Sequence, residues 1–283
     1  MTPERNKELQ LIAVKGRKNI IKSIHAAGSG HPGGSLSAID YLTYLYNEVL
    51  RIDPKNPQKQ DRDRFVLSKG HVAPALYAVL ADKGYFPEED LITLRKPTSH
   101  LQGHPNMNDT PGIDFSTGSL GQGISGAAGM AKAAKYLNKD MNVYTLLGDG
   151  EIAEGIVWEA VEWAAHYGLD NLCIAVDVNG LQIDGSTKDV LNMEPIDSKF
   201  ETFGCDVVKI NGHDFEQMEK AIAKFAENKG SGKPTVILLG TVKGKGVSFM
   251  EDVAGWHGKA PDDEQYVQAM KELDEAEKKI EEE

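Results

Sequence analysis

Apolar positions along this chain follow two periods. Over residues 3–27 the stretch LQLIAVKGRKNIIKSIHAA keeps its apolar residues at helical spacing and stops at Gly28. The next stretch, GSGHPGGS (28–35), reads as non-helical because of its proline and glycines. SAIDYLTYLYNEVL (37–50) predicts a second helix, ended by Asp53-Pro54. DRDRFVLSKGHVAPALYAVLADKG then predicts a short strand (FVLS), a Gly-His turn and a helix. Residues 95–120 are rich in Gly, Pro and Asn and show little periodicity. A loop this long inside a compact domain usually carries function. QGISGAAGMAKAAKYL (122–137) reads as a helix of small residues.

The clearest unit follows. VYTLL (143–147) is a buried strand by its unbroken apolar run. Ile152, Ile156, Ala160, Trp163 and Tyr167 form one face of a helix, and LCIAVD (172–177) is a second buried strand. Strand, helix and strand with short links predict a βαβ unit with parallel strands. CDVVKI and TVILLGT add strands around a helix at 214–228. With no internal repeat and no clean boundary, the expectation is one doubly wound α/β domain over residues 1–283, a parallel sheet with helices on both faces.

Composition narrows the function. A net charge of −12 argues against a broad nucleic-acid footprint, and no apolar run approaches a membrane span. Much of the acidity lies in residues 261–283, where a charged helix at about 262–283 is expected to be solvated. The N-terminus MTPERNKELQ is charged and unlike a signal peptide. Cys173 and Cys205 lie in apolar runs without a CxxC, as buried reduced thiols do. Both features point to the cytoplasm.

LLGDGEIAEG (146–155) poses the central question, because Asp149 stands between two glycines where the first strand of the βαβ unit ends. The second strand ends at Asn179. The C-terminal ends of parallel strands share one edge, where ligands bind. A carboxylate and an amide oxygen there suit Mg2+ or Ca2+, and glycines would let backbone N–H groups reach phosphate oxygens. Taken singly, Asp149 would be a helix cap and Asn179-Gly180 a turn. Taken as a pair, they point to a metal-bridged diphosphate. The competing glycine motifs, GSGHPG (28–33) and GQGISG (121–126), lack the preceding strand that a dinucleotide site requires.

Histidines supply the second cluster. His31, His71 and His104 each follow a glycine and His257 precedes one, in loops expected at the sheet edge. A group of histidines suits a polyhydroxy sugar, whose carbon–carbon cleavage requires removal of a hydroxyl proton. His100 and His104 are four apart, but Gly103 and Pro105 break any helix that would pair them on a metal. His25, His166 and His213 read as structural.

GDG at 148–150 followed by Asn179 resembles the thiamine diphosphate signature, although Val178-Asn179-Gly180 replaces its usual pair of asparagines. SGHPGGS, DRFVLSKGH, GHPN, STGSLGQG, GDGEIAEG, VNGLQIDG and WHG resemble transketolase, in transketolase order, over about residues 25–260. The resemblance implies a thiamine diphosphate-binding fold, specifically its diphosphate-binding domain. It implies Mg2+, with Ca2+ able to substitute, on Asp149, Asn179 and the carbonyl of Leu181. Cofactor contacts would come from His71, Gly118, Ser119, Leu120, Gly150, Asn179, Ile183 and His257. His31 and His104 would contact sugar hydroxyls, while His71 and His257 would help proton transfers at the reacting carbon. All four histidines are the catalytic candidates. The cofactor would attack a ketose carbonyl, and a two-carbon ketol unit would pass to an aldose.

Two features depart from that family. Lys243 and Lys245 in TVKGKG replace more apolar residues, and fit either a diphosphate contact or a solvated loop. The pyrimidine-binding domain, with its activating Glu and phosphate-gripping arginines, has no counterpart after WHGKAP. The resemblance therefore implies the N-terminal subunit of a split transketolase in the pentose phosphate pathway, working on sugar phosphates. It would be active only with a C-terminal partner subunit, as a heterotetramer of two plus two chains. Glu154 matches a position at the subunit contact. The alternatives are a specialised sugar-acid transketolase, a 2-oxoacid decarboxylase or dehydrogenase subunit, or a non-catalytic thiamine diphosphate-binding regulator. A nicotinamide dehydrogenase would rest on GQGISG alone. No nucleic acid or membrane partner is expected.

Overall fold

The computed structural model describes residues 1–283. In chain order it contains α1 (Pro3–Ala27), α2 (Pro32–Tyr44), β1 (Arg64–Leu67), α3 (Ala73–Asp82), α4 (Gln122–Tyr136), β2 (Val143–Gly148), α5 (Gly155–His166) and β3 (Leu172–Val178). A small hairpin follows, β4 (Leu181–Gln182) with β5 (Gly185–Ser186). The remaining elements are α6 (Thr187–Val190), α7 (Ile196–Thr202), β6 (Asp206–Asn211), α8 (Phe215–Glu227), β7 (Thr235–Gly240) and α9 (Asp263–Glu282).

The sheet is parallel throughout, in the order β1-β2-β3-β7-β6. Successive side chains of a strand point to opposite faces, and here each face has its own core. Tyr144, Leu146, Cys173, Ala175, Ile237 and Leu239 pack with α1, α2, α3, α8 and α9. Val143, Leu147, Ile174, Val176, Val236 and Leu238 pack with α4, α5 and α7. Burial on both faces is why these strands read as unbroken apolar runs.

The strands and most helices lie where the pattern placed them, but α5 buries Val157, Ala160, Val161 and Ala164 while Trp163 and Tyr167 of the expected face are exposed, and three further details differ. First, α2 begins at Pro32, inside the stretch read as non-helical. His31 precedes its first turn, and proline at that position gives up an N–H that the helix would leave unpaired. The glycines are there for space: a Cβ on Gly34 would lie 2.8 Å from Val72 Cγ1, and one on Gly33 would lie 3.0 Å from the Trp256 carbonyl oxygen. Second, the terminal helix α9 is docked rather than solvated. It buries Ala269 and Leu273 against α1, and Lys18 Nζ reaches Asp274 and Glu277, each at 2.6 Å. Third, the helix after Asp149 is split, with a short turn at Glu151–Ala153 ahead of α5. Residues 95–120 hold no regular element, and both cysteines are buried and unpaired.

Candidate active site

A cleft of about 270 Å3 opens at the C-terminal edge of the sheet, above β2 and β3. It is lined by His71, Gly118, Leu120, Asp149, Gly150, Asn179, Leu181, Ile183 and His257, nine of the residues singled out above. His31 and His104 join through the rings: His31 lies 5.3 Å from His71, 5.5 Å from His257 and 6.3 Å from His104. His71 and His257 stack at 5.0 Å. Ser119 lies exposed next to the lining residues.

Asp149 does not cap a helix. It is buried, and its two oxygens accept from Gly150 N at 2.8 Å and Gly180 N at 2.6 Å. Gly180 is glycine for a reason, since its φ of +73° aims that N–H at the carboxylate. Burial first, and then Asp177, push the Asp149 carboxyl up to about 6. Asn179 donates to Asp177 at 3.2 Å, while its amide oxygen accepts from Leu181 N at 3.1 Å. The flanking glycines make room. A Cβ on Gly150 would lie 3.1 Å from Gln182 Cβ, and one on Gly148 would touch the Lys69 ammonium.

Lys69 and Asp177 form a buried ion pair of 2.6 Å beneath this edge. Burial opposes ionisation of Asp177, but Lys69, Ser37 and Thr241 outweigh it and hold the carboxyl low. Glu151 turns inward too, accepting from Ser68, Gly121 N and Gly148 N, so it ties three loops of the cleft together. The sequence pattern alone singled out neither these two acids nor Lys69. Asp177 and Lys69 had the signal that marked Asp149, a charged residue where a buried strand ends.

The two lysines of TVKGKG part company. Lys243 is buried in the cleft, and its ammonium donates to the Leu181 carbonyl at 3.2 Å and to His257 Nδ1 at 3.0 Å. Burial, then Lys69, pull it down to about 8. Lys245 turns outward to Glu251. The loop is clamped from below: Arg17 pairs with Asp40 and donates to the Lys245 carbonyl, while His213 bridges Asp40 and Val242 N. His213 is thus structural, as expected. His25 pairs with Asp263 and stacks on Tyr266, His100 pairs with Asp90, and His166 is exposed.

The cluster histidines are kept neutral at physiological pH. Burial, then Arg95, hold His31 at about 4; burial, then Lys243, hold His257 at about 3. Burial, then Lys69, drive His71 well down, and burial with Arg95 lowers His104. Because Lys243 donates to Nδ1, neutral His257 carries its proton on Nε2. His31 Nδ1 is buried without a partner. A buried carboxylate, an amide oxygen and a backbone carbonyl that already attracts one cation suit a hard divalent ion. The unpartnered His31 nitrogen suits a polar ligand beside it.

Residues 10–279 match the family described as transketolase, thiamine diphosphate binding domain. The chain is 44% identical over 271 residues to a 6-deoxy-6-sulfo-D-fructose transketolase subunit of Clostridium sp. (strain MSTE9), covering 96% of this chain and 98% of that one. It is 42% identical over 276 residues to an apulose-4-phosphate transketolase subunit of Phocaeicola vulgatus, covering 97% of each. The fold superposes on the crystal structure of Campylobacter jejuni transketolase with a TM-score of 0.89 and 33% identity. That match covers 99% of this chain but 46% of the other, so the chain spans about half the length of that enzyme.

Proposed function

The chain belongs to the transketolase family, and on that footing we propose that it is the diphosphate-binding half of a two-chain transketolase. With a pyrimidine-binding partner it would move a two-carbon ketol unit from a ketose phosphate to an aldose phosphate. The observation that carries this reading is the convergence of His31, His71, His104 and His257 with Asp149, Asn179 and Leu181 at one sheet edge. Two relatives matched end to end are themselves named as transketolase subunits, which supports a partner chain. The complete enzyme is proposed as a cytoplasmic heterotetramer of two plus two chains, with Glu154 at a subunit contact.

When bound, thiamine diphosphate supplies the carbon nucleophile and the electron sink for cleaving the ketose. The chain's own residues hold and orient. Asp149, Asn179 and the Leu181 carbonyl would hold Mg2+, or Ca2+ in its place, against the diphosphate. Lys243 would offer its ammonium to the same oxygens, whereas the Gly150 N–H, expected at the phosphate, is already given to Asp149; Gly118, Ser119, Leu120 and Ile183 would offer wall and backbone to the rings. Neutral His31 and His104 can both donate to and accept from sugar hydroxyls. His257 would present its Nε2 proton to an oxygen at the reacting carbon, and His71 stacked on it could accept one.

Substrate choice has two readings. One is a pentose phosphate pathway ketose. The other is a specialised sugar, favoured by the names of the two relatives, a sulfonated ketose and an apulose phosphate. Coupled assays of the assembled enzyme on a pentulose phosphate, apulose 4-phosphate and 6-deoxy-6-sulfofructose decide between them. Transfer from none of these ketoses, by an assembly that binds thiamine diphosphate, would favour a non-catalytic binding protein and overturn the proposal.

A further inference from the structure

The chain has six arginines. Arg5, Arg17, Arg51, Arg62 and Arg64 each reach a carboxylate. Arg95 reaches none, and its guanidinium makes no hydrogen bond within the chain. Its position is nonetheless imposed. The backbone sits at φ +60°, a region that side-chain-bearing residues avoid. Buried Leu94 and Leu101 flank it, and Arg95 N donates to the Leu101 carbonyl at 2.8 Å.

The fork of the side chain lies flat against Gly103. A Cβ there would lie 2.8 Å from Arg95 Cζ and 3.0 Å from both Nε and Nη2. Gly103 leads directly into His104, so the guanidinium is set beside the histidine cluster. Its charge is felt there, being the largest influence after burial on both His31 and His104. Of the acids in the preceding turn, Glu88 pairs with Lys15, Asp90 with His100, and Glu89 makes no ion pair. Lys69 is spent on Asp177, and Lys243 already holds Leu181 and His257. A half-buried guanidinium with five donors, held by a strained backbone and left without an acid, is arranged for an oxyanion from outside the chain.

We propose that Arg95 is an oxyanion receptor at the histidine end of the cleft. Its ligand is a phosphate, sulfonate or carboxylate group, carried either by the sugar substrate or by a carboxylate side chain of the partner that closes the site. The substrate source rests on the function proposed above; the partner source needs only assembly.

The test compares Arg95→Gln and Arg95→Gly with the parent in the assembled enzyme. Arg95→Gly also relieves the backbone strain, so it should fold at least as stably as the parent. The readouts are kcat/KM for a phosphorylated aldose, kcat/KM for uncharged glycolaldehyde, and the dissociation constant between the two chains. A substrate oxyanion predicts a loss of roughly ten- to a hundredfold for the phosphorylated acceptor in both variants, with glycolaldehyde within about threefold. A partner carboxylate predicts weaker assembly by a similar factor, with both acceptors affected alike. Parental values for all three quantities in both variants would overturn the proposal. A parent complex that assembles but transfers no ketol group would instead refute the proposed function, and the assembly measurement would still read Arg95.

Discussion

Lys243 Nζ and the Leu181 carbonyl oxygen lie 3.2 Å apart, so a lysine already neighbours an oxygen assigned to the metal. Lys245, two residues on, faces solvent and Glu251. On the proposed function Lys243 would therefore meet the diphosphate and Lys245 would not. Lys243→Met should weaken thiamine diphosphate binding with Mg2+ by roughly ten- to a hundredfold, the worth of a charge-assisted contact. Lys245→Ala should leave it within about twofold. Calorimetric titration of both assembled variants is the check, and equal affinities would contradict the assignment.

Asp149 carries a sign that can be tested without turnover. Its carboxyl sits at about 6 in the folded chain, above its ordinary 3.8. The favourable contribution of the protonated form is complete below pH 3.8 and is lost as pH rises through 6. Near pH 8 the ionised group costs the cation-free fold about 2–3 kcal/mol. Asp149→Asn should therefore raise the unfolding temperature of the cation-free chain at pH 8 while abolishing stabilisation by Mg2+ with thiamine diphosphate. A variant still stabilised as strongly as the parent would remove Asp149 from the metal site.

The histidine cluster predicts an acid limb. His31 and His257 are held at about 4 and about 3, below the unfolded value of 6.5. Their contribution is present above pH 6.5 and fades as pH falls through those values. The double variant His31→Asn, His257→Asn should lose less stability between pH 6.5 and 4 than the parent does, in denaturant titrations at each pH. The parallel single variants His31→Ala and His104→Ala should lower kcat/KM for the ketose while sparing cofactor affinity.

The buried Lys69–Asp177 pair predicts non-additivity. Asp177→Ala leaves an uncompensated ammonium among buried groups and should cost about 3–5 kcal/mol. The double variant Lys69→Met, Asp177→Asn should be distinctly more stable than Asp177→Ala, because no charge is left unpaired. Chemical unfolding of the parent, Lys69→Met, Asp177→Asn and the double variant closes the cycle, and additive losses would show that the two groups do not compensate one another.

The layout of this fold was legible because its strands are buried on both faces. Runs such as VYTLL and LCIAVD have no other use in a chain without membrane-length helices. Asp149, Asn179 and the glycine-linked histidines could be read for a related reason, since polar residues at the ends of apolar runs must face the sheet edge. What escaped depends on tertiary neighbours. The start of α2 at Pro32 requires knowing that Val72 and Trp256 crowd its glycines. The docking of α9 depends on buried Ala269 and Leu273, with Tyr266, Met270 and Ile280 packed beside them, in a helix whose charge hides the stripe. Arg95 lies in a loop with no periodicity, and its significance comes only from the acids that are absent around it.

The central claim is that this chain supplies the diphosphate and sugar-hydroxyl contacts but not the group that activates the cofactor. By family resemblance that group is a carboxyl on the pyrimidine-binding partner, and acid–base help of this kind is worth roughly two to four orders of magnitude. The most direct measurement is ketol transfer by the purified chain with saturating thiamine diphosphate and Mg2+, with and without a C-terminal transketolase partner, alongside the mass of each species in solution. The prediction is essentially no transfer by the chain alone, and full activity with the partner in a complex of two plus two chains. Full ketol transfer by the lone chain would contradict the account.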